Sequence, residues 1–220
     1  MFLVCAALGL AAMFGVIGSS TVTSSGLSVI NGSLALYPGS DVVGFPPGEV
    51  TGNIYIDDAV ATKAQDDAGD AYAYFVSLPH NASADLSGSD LVGLTLTAGK
   101  YFFAKSAQLS GNLTLDGQGD HSAIFIIQTG TTFQTSVSSN INLINGAKSC
   151  NVFIVVGSSA TIGSSSAIRG SILAYTNVVL HHNVWAHGTM VALGAAVNMD
   201  ANTIVAPADC IRRTSPPSSK

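Results

Sequence analysis

Gly170–His187 reads GSILAYTNVVLHHNVWAH, and Gly188–Val205, which follows directly, reads GTMVALGAAVNMDANTIV. The two segments align at a step of 18 residues, and the stretch before them, VFIVVGSSATIGSSSAIR from Val152 to Arg169, fits the same frame. Ile154, Ile172 and Met190 coincide, as do Ile168, Ala186 and Ile204; Ile162, Leu180 and Met199 coincide after a slip of one residue. This period is too short for helical repeats, which begin at about 33 residues, and suits one turn of a β-helix made of three short strands and tight corners. Small corner residues, Gly157, Gly163 and Gly194, fit that geometry.

Strand alternation then assigns faces, because successive side chains point to opposite sides. With Ile162, Leu180 and Met199 inside, Thr161, Val179 and Asn198 point out and stack. With Ile168, Ala186 and Ile204 inside, two further outward columns follow: Ala167, Trp185 and Thr203, and Arg169, His187 and Val205. Coils stack at about 4.8 Å, so a flat face becomes a grid with a fixed repeat.

Working outward, residues 20–56 read as short strands (STVTSS, LSVING, SLALYPGS, DVVGFPPGEVTGNIYI) separated by Pro38-Gly39 and Pro46-Pro47-Gly48. Residues 57–78 form the one helix: Asp57 or Asp58 is the N-cap, Pro79 the stop, and Val60, Ala64, Ala68, Ala71, Phe75 and Leu78 fall at helical spacing. The alanines allow close approach to a sheet, while Lys63, Gln65, Asp66, Asp67 and Asp70 make a wet face. Residues 14–206 are read as one solenoid domain and 207–220 as a disordered tail.

Only 10% of the chain is charged while 47% is hydrophobic, against roughly 25% charged in an average domain. The surface must therefore be built largely from Ser, Thr, Asn, Gly and Ala. A net charge of −5 with 8 Lys+Arg leaves no basic footprint for nucleic acid. Residues 1–18, MFLVCAALGLAAMFGVIG, carry no charged side chain. Either a short secretory signal ends near Ala12, or residues 1–13 already begin the domain. Secretion is expected in both cases, with no membrane segment in the mature form and a monomeric state.

The cysteines, Cys5, Cys150 and Cys210, are odd in number, so they make no disulfide framework. Cys150 and Cys210 are candidates for a bridge. Asn31, Asn81 and Asn112 begin glycosylation sequons. No metal site or cofactor is expected: no CxxC spacing occurs, and His181 and His182, adjacent on a strand, would point to opposite faces.

The stretches FGVIGSSTVTSSG, SVINGSLALYPG, VVGFPPGEVTGNI, LTLTAGKY, LTLDGQGDHSAIFIIQ, NLINGAKSCNVFIVVGSSATIG, RGSILA and DANTI run in order from Phe14 to Val205. Together they resemble the type-1 microbial and fungal ice-binding proteins. The resemblance implies an all-β solenoid: a discontinuous right-handed β-helix of triangular cross-section, with one long α-helix alongside and N-terminal strands joining the sheets of the C-terminal coils. It implies adsorption to ice crystals through one flat face that bears a Thr-(Ala/Gly)-x-(Thr/Asn) pattern. Carried over, that pattern falls on Ser164 and Ala167, on His182 and Trp185, and on Asp200 and Thr203, with Val29, Asn31, Glu49 and Thr51 joining from the N-terminal coils. The chain departs from it at most places, which points to moderate activity. Members also carry a Cys after the helix that pairs with the position of Cys150; here His80 stands there.

Two other functions compete with ice adsorption. A polysaccharide-active β-helix needs clustered carboxylates or a Lys/Arg base on one face; Asp116 and Asp120 sit in the turn-like DGQGD and Asp200 stands alone among the repeats. No nucleophile elbow or phosphate loop occurs, so the chain is read as not an enzyme. An adhesive or structural solenoid that has lost ice affinity accounts for the sparse Thr pattern, and the outward Trp185 would suit a partner or a glycan.

Overall fold

The burial pattern of the strands divides them into two kinds, and that division organises the molecule. Strands such as Val152–Val156 and Ser171–Ala174 are buried at every position, while Ala160–Ile162 and Ala167–Arg169 are buried only at alternate or central ones. The first kind must be covered on both faces, the second on one. In the computed structural model, which describes residues 8–80 and 84–207, all strands pair in parallel into three sheets around one apolar interior.

Sheet A has eight strands in the order Ile54–Ile56, Ser33–Leu36, Phe14–Gly18, Met190–Ala192, Ser171–Ala174, Val152–Val156, Phe125–Thr129 and Gly99–Phe103. Sheet B has seven: Ala107–Leu109, Phe133–Thr135, Ala160–Ile162, Val178–Leu180, Val197–Asp200, Thr21–Ser25 and Asp41–Val43. Sheet C has eight: Glu49–Val50, Val29–Asn31, Thr203–Val205, Trp185–His187, Ala167–Arg169, Asn140–Ile144, Asn112–Asp116 and Thr95–Thr97. The chain visits A, B and C in turn, so each coil is one side of a triangle after another. This is the triangular solenoid expected from the sequence.

The stack is discontinuous. The last coil lies against the first, with Met190 beside Val16, Val197 beside Val22 and Thr203 beside Val29. After Ile56 the chain must therefore travel to the opposite end of the stack before winding back. The helix Ala59–Ser77 carries it. At 1.5 Å per residue it spans about 28 Å, roughly six strand spacings of about 4.8 Å.

The helix begins after Asp58, whose carboxylate accepts from the backbone N–H of Ala61 at 2.7 Å. Ala61, Ala64, Ala68, Ala71 and Phe75 are its buried face, laid on Ile17, Ala35, Phe153, Val155, Leu173 and Val191 of sheet A. Four alanines bring the helix axis close, and Phe75 packs on Phe153 with ring centroids 4.4 Å apart. Asp67 accepts from the backbone N–H of Leu10 at 2.7 Å and also pairs with Lys63. This ties down the short 3-10 turn Gly9–Met13, whose Ala11 and Ala12 are buried. Residues 8–13 are thus part of the folded domain.

The other end of the helix is held by Lys100 of sheet A, whose Nζ donates to the carbonyls of Phe75 at 2.8 Å and Val76 at 3.2 Å, and to that of Leu78. A cation at a helix C-terminus satisfies carbonyls that have no partner within the helix. Burial pulls the Lys100 pKa below the ordinary lysine value. Lys100→Met, which keeps the aliphatic stem, is expected to cost about 1–2 kcal/mol, read as a lowered urea midpoint at unchanged slope.

Corners are built from buried polar residues. Where sheet B turns into sheet C, Ser139, Ser166, Asn202 and Ser28 are all buried. Ser139 and Ser166 donate to the carbonyls of Leu109 and Ser136 at 2.9 and 3.1 Å. Asn202 donates to the carbonyl of His181 at 2.6 Å and accepts from the N–H of Asp200 at 2.7 Å. Each of these corner side chains thereby bonds the neighbouring coil of the stack. The far end of the stack is covered by residues 85–94, which bridge to Phe102 and Gln108 and bury Leu91. Among the described residues no helix is long and apolar enough to cross a membrane. Cys150 is disulfide-bonded; Cys5, Cys210, the sequon at Asn81 and the tail 208–220 lie outside the described residues.

Candidate functional site

The helix occupies the outside of sheet A, which leaves the outer faces of B and C as the two regular surfaces of the molecule. Both are parallel arrays with residues in strict register.

On sheet B, the middle outward column runs Gln108, Gln134, Thr161, Val179, Asn198, Thr23 and Val43. The inward neighbours on either side, Ala160 and Ile162, Val178 and Leu180, are fully buried, which fixes the outward direction of Thr161 and Val179. A second column, at the corner entering the sheet, contains Thr132, Ser159, Asn177, Ala196 and Thr21, placed in step by backbone bonds from Phe133 to Ser159, Ala160 to Asn177 and Val178 to Ala196. From Thr161 to Val43 the side chains of the middle column are short and neutral. Thr23 donates its hydroxyl to Asn198 at 2.7 Å, and Asn177 accepts from the backbone N–H of Ala196 at 3.1 Å. The carboxylates that border them, Asp41 and Asp200, stand at one end and along one ridge.

On sheet C, the residues expected from the sequence to form the site are brought into two columns and a ridge. Glu49, Val29, Thr203, Trp185 and Ala167 stack in one column, continued by Asn140 and Asn112. Asn31 lies in the second with Val205, His187 and Arg169, and Thr51 follows beneath it, its hydroxyl accepting from the N–H of Gly32 at 3.1 Å. Ser164, His182 and Asp200 lie at the corner between sheets B and C, where His182 and Asp200 approach to 3.2 Å. Seven of the ten residues line sheet C while Ser164, His182 and Asp200 stand apart at the corner, and the surface has relief. The Arg169 guanidinium stands 5.2 Å from the centre of the Trp185 ring, and His187 meets that ring edge-on at 6.0 Å. Glu49 is exposed at the end of the column.

Sequence reasoning placed Thr161, Val179 and Asn198 outward but did not extend their column to Thr23 and Val43. The signal was present: Thr21-Val22-Thr23 alternates and falls between the segments that enter sheets A and C, where a sheet B strand must lie. Among the described residues no group of three His, Cys, Asp or Glu side chains could hold a metal ion. His181 and His182 are both exposed in a corner.

Comparison with known proteins agrees with this architecture. A family model described as ice-binding-like matches residues 16–205. An ice-binding protein of Nostoc sp. (strain HG1) is 51% identical over 155 residues, covering 70% of this chain and 56% of the relative. Ice-binding protein 1 of Shewanella frigidimarina is 31% identical over 176 residues, covering 66% of this chain and 20% of the relative. The chain thus spans little more than half the length of the first curated relative and a fifth of the second. A crystal structure of an ice-binding protein from the Antarctic ascomycete Antarctomyces psychrotrophicus superposes with a TM-score of 0.87 at 38% identity, over 90% of this chain and 97% of that one. These relatives are named as ice-binding proteins and not as enzymes. With a family model that covers nearly all its coils, and relatives that share both its sequence and its solenoid, this chain belongs to the ice-binding-like family.

Proposed function

We propose that the protein adsorbs to ice through the outer face of sheet B and so restrains crystal growth and recrystallisation. The observation that carries this is the run of short, uncharged side chains Thr161, Val179, Asn198 and Thr23, on strands held in register. Ice is made of the solvent, so hydrogen bonding alone gives no discrimination. A plane of methyls and spaced hydroxyls can order water in an ice-like layer, whereas charges hold water in other geometries. The strand spacing of about 4.8 Å lies close to a repeat of the ice lattice. A preformed grid also loses little entropy on adsorption.

Sheet C, the face to which the family pattern carries over, supports this role less well, because Trp185, Arg169, His187 and Glu49 break both its plane and its neutrality. The activity needs no catalytic group, and the protein works as a single copy outside the cell. The disulfide at Cys150 supports an oxidising compartment. Recovery of the protein from the medium and not from the cell pellet checks this placement.

The test is nanolitre osmometry on the purified protein at micromolar concentration. Facetted crystals with a gap between melting and growth temperatures are expected. Smooth discs growing from a protein shown to be folded would overturn the proposal.

A further inference from the structure

Resting on the reading of sheet B just given, we propose that Gln134 limits how much of that face meets the crystal. From Thr161 to Val43 the middle column is level: Thr161, Val179, Asn198, Thr23 and Val43 all end within a branch at Cβ or Cγ. Gln134 sits directly beside Thr161 in register and is exposed. Its side chain is one carbon longer than that of Asn198, and among the described residues no hydrogen bond holds its amide. In the level part the Thr23 hydroxyl and the Asn198 amide are tied to each other by a bond of 2.7 Å. A free amide on three rotatable bonds sweeps the space above the plane and must be ordered before a flat lattice can approach.

The coil that carries Gln134 is otherwise suited to the face. Thr132 continues the second column beside Ser159, and Phe133 below is fully buried, so the backbone holds the same plane. The coil beyond it is not suited. Gln108 donates to Ser110 at 2.7 Å, and the Ser110 hydroxyl in turn bonds the Asp90 carboxylate, which puts a charge at that level. The boundary of the level patch therefore falls on one side chain. Replacing that side chain with Thr would continue the Thr161 position by one coil, using a β-branched residue that suits a strand.

The experiment compares wild type, Q134T, Q134V and the sheet C control N142T by thermal hysteresis and by melting temperature, with V179Y as the reference for loss. Thermal hysteresis is expected to rise by about one-fifth or more in Q134T, in proportion to the added length of grid. Q134V should follow it, N142T should match wild type, and the melting temperatures should stay together. A gain of this kind has no source in a merely structural role. Q134T and Q134V at or below wild-type activity, with V179Y inactive, would overturn the inference while the reading of sheet B stands. V179Y as active as wild type would remove both.

Discussion

Val179→Tyr is expected to abolish ice-crystal shaping and to lower thermal hysteresis about tenfold, because one ring standing above the grid keeps the remaining side chains from reaching the lattice. Val179 lies at the centre of the level column, with Thr161 on one side and Asn198 on the other. Its backbone neighbours Val178 and Leu180 are buried and untouched by the change. Tyrosine is well accommodated in strands, so the fold should survive, and an unchanged melting temperature separates loss of adsorption from loss of structure. Thr203→Tyr and Ala167→Tyr on sheet C are expected to leave shaping intact. Both flank Trp185, which already stands out beneath Arg169, so a second ring there changes little. The reverse pattern, loss at Thr203 and Ala167 with Val179→Tyr active, would move the ice-contacting face to sheet C.

Gly188→Ala is expected to damage the fold itself. Gly188 turns the chain from sheet C into sheet A. A Cβ built on it would lie 2.1 Å from the carbonyl oxygen of Gly170 and 2.4 Å from its carbon, in the coil directly beneath. Both are backbone atoms of a packed corner and cannot rotate away as a side chain end would. Relief requires the coils to separate, and that separation breaks the register of Trp185 on Ala167 and of Met190 on Ile172. Overpacking of this kind costs about 3 kcal/mol, which for a domain of this size lowers Tm by roughly 6–12 °C. Gly69→Ala, in the helix where no atom lies within 4 Å of the added Cβ, is the opposite case and is expected to raise stability by about 1 kcal/mol. Scanning calorimetry on the two variants reads both signs.

Much of this architecture could be read from the repeat. The 18-residue frame predicted which side chains stack on Ile168, Ala186 and Ile204, and the register agrees. Even the slip of one residue has a physical seat. Leu193, Gly194, Ala195 and Ala196 form a corner one residue longer than Tyr175, Thr176 and Asn177, and the next corner is shorter to compensate. The helix ran within two residues of its expected bounds because Asp58 and Pro79 punctuate it locally.

Which outer face is level was harder to see. Strands of all three sheets share the same two-residue alternation, so the period places a residue outward without revealing what its neighbours across the sheet do to the surface. The stacking of Arg169 on Trp185 joins residues from successive coils. Lys100 was invisible as a helix cap because its carbonyl partners lie 22 to 25 residues away in the chain and meet it only after the helix has docked.

The contact between the first and last coils bears on how the protein is made. Translation is vectorial, and Phe14–Gly18, Thr21–Ser25 and Val29–Asn31 leave the ribosome long before Met190–Ala192, Val197–Asp200 and Thr203–Val205, the strands that neighbour them. Until the last of these is released, the N-terminal coils wait with an open parallel edge that has no local partner, a state prone to mispairing and slow to resolve. Thr23 and Asn198 belong to opposite ends of the message, yet they stand side by side on the surface proposed to touch ice. A nascent chain stopped even a few codons before that closing segment would therefore present two unconnected half-surfaces and no completed plane.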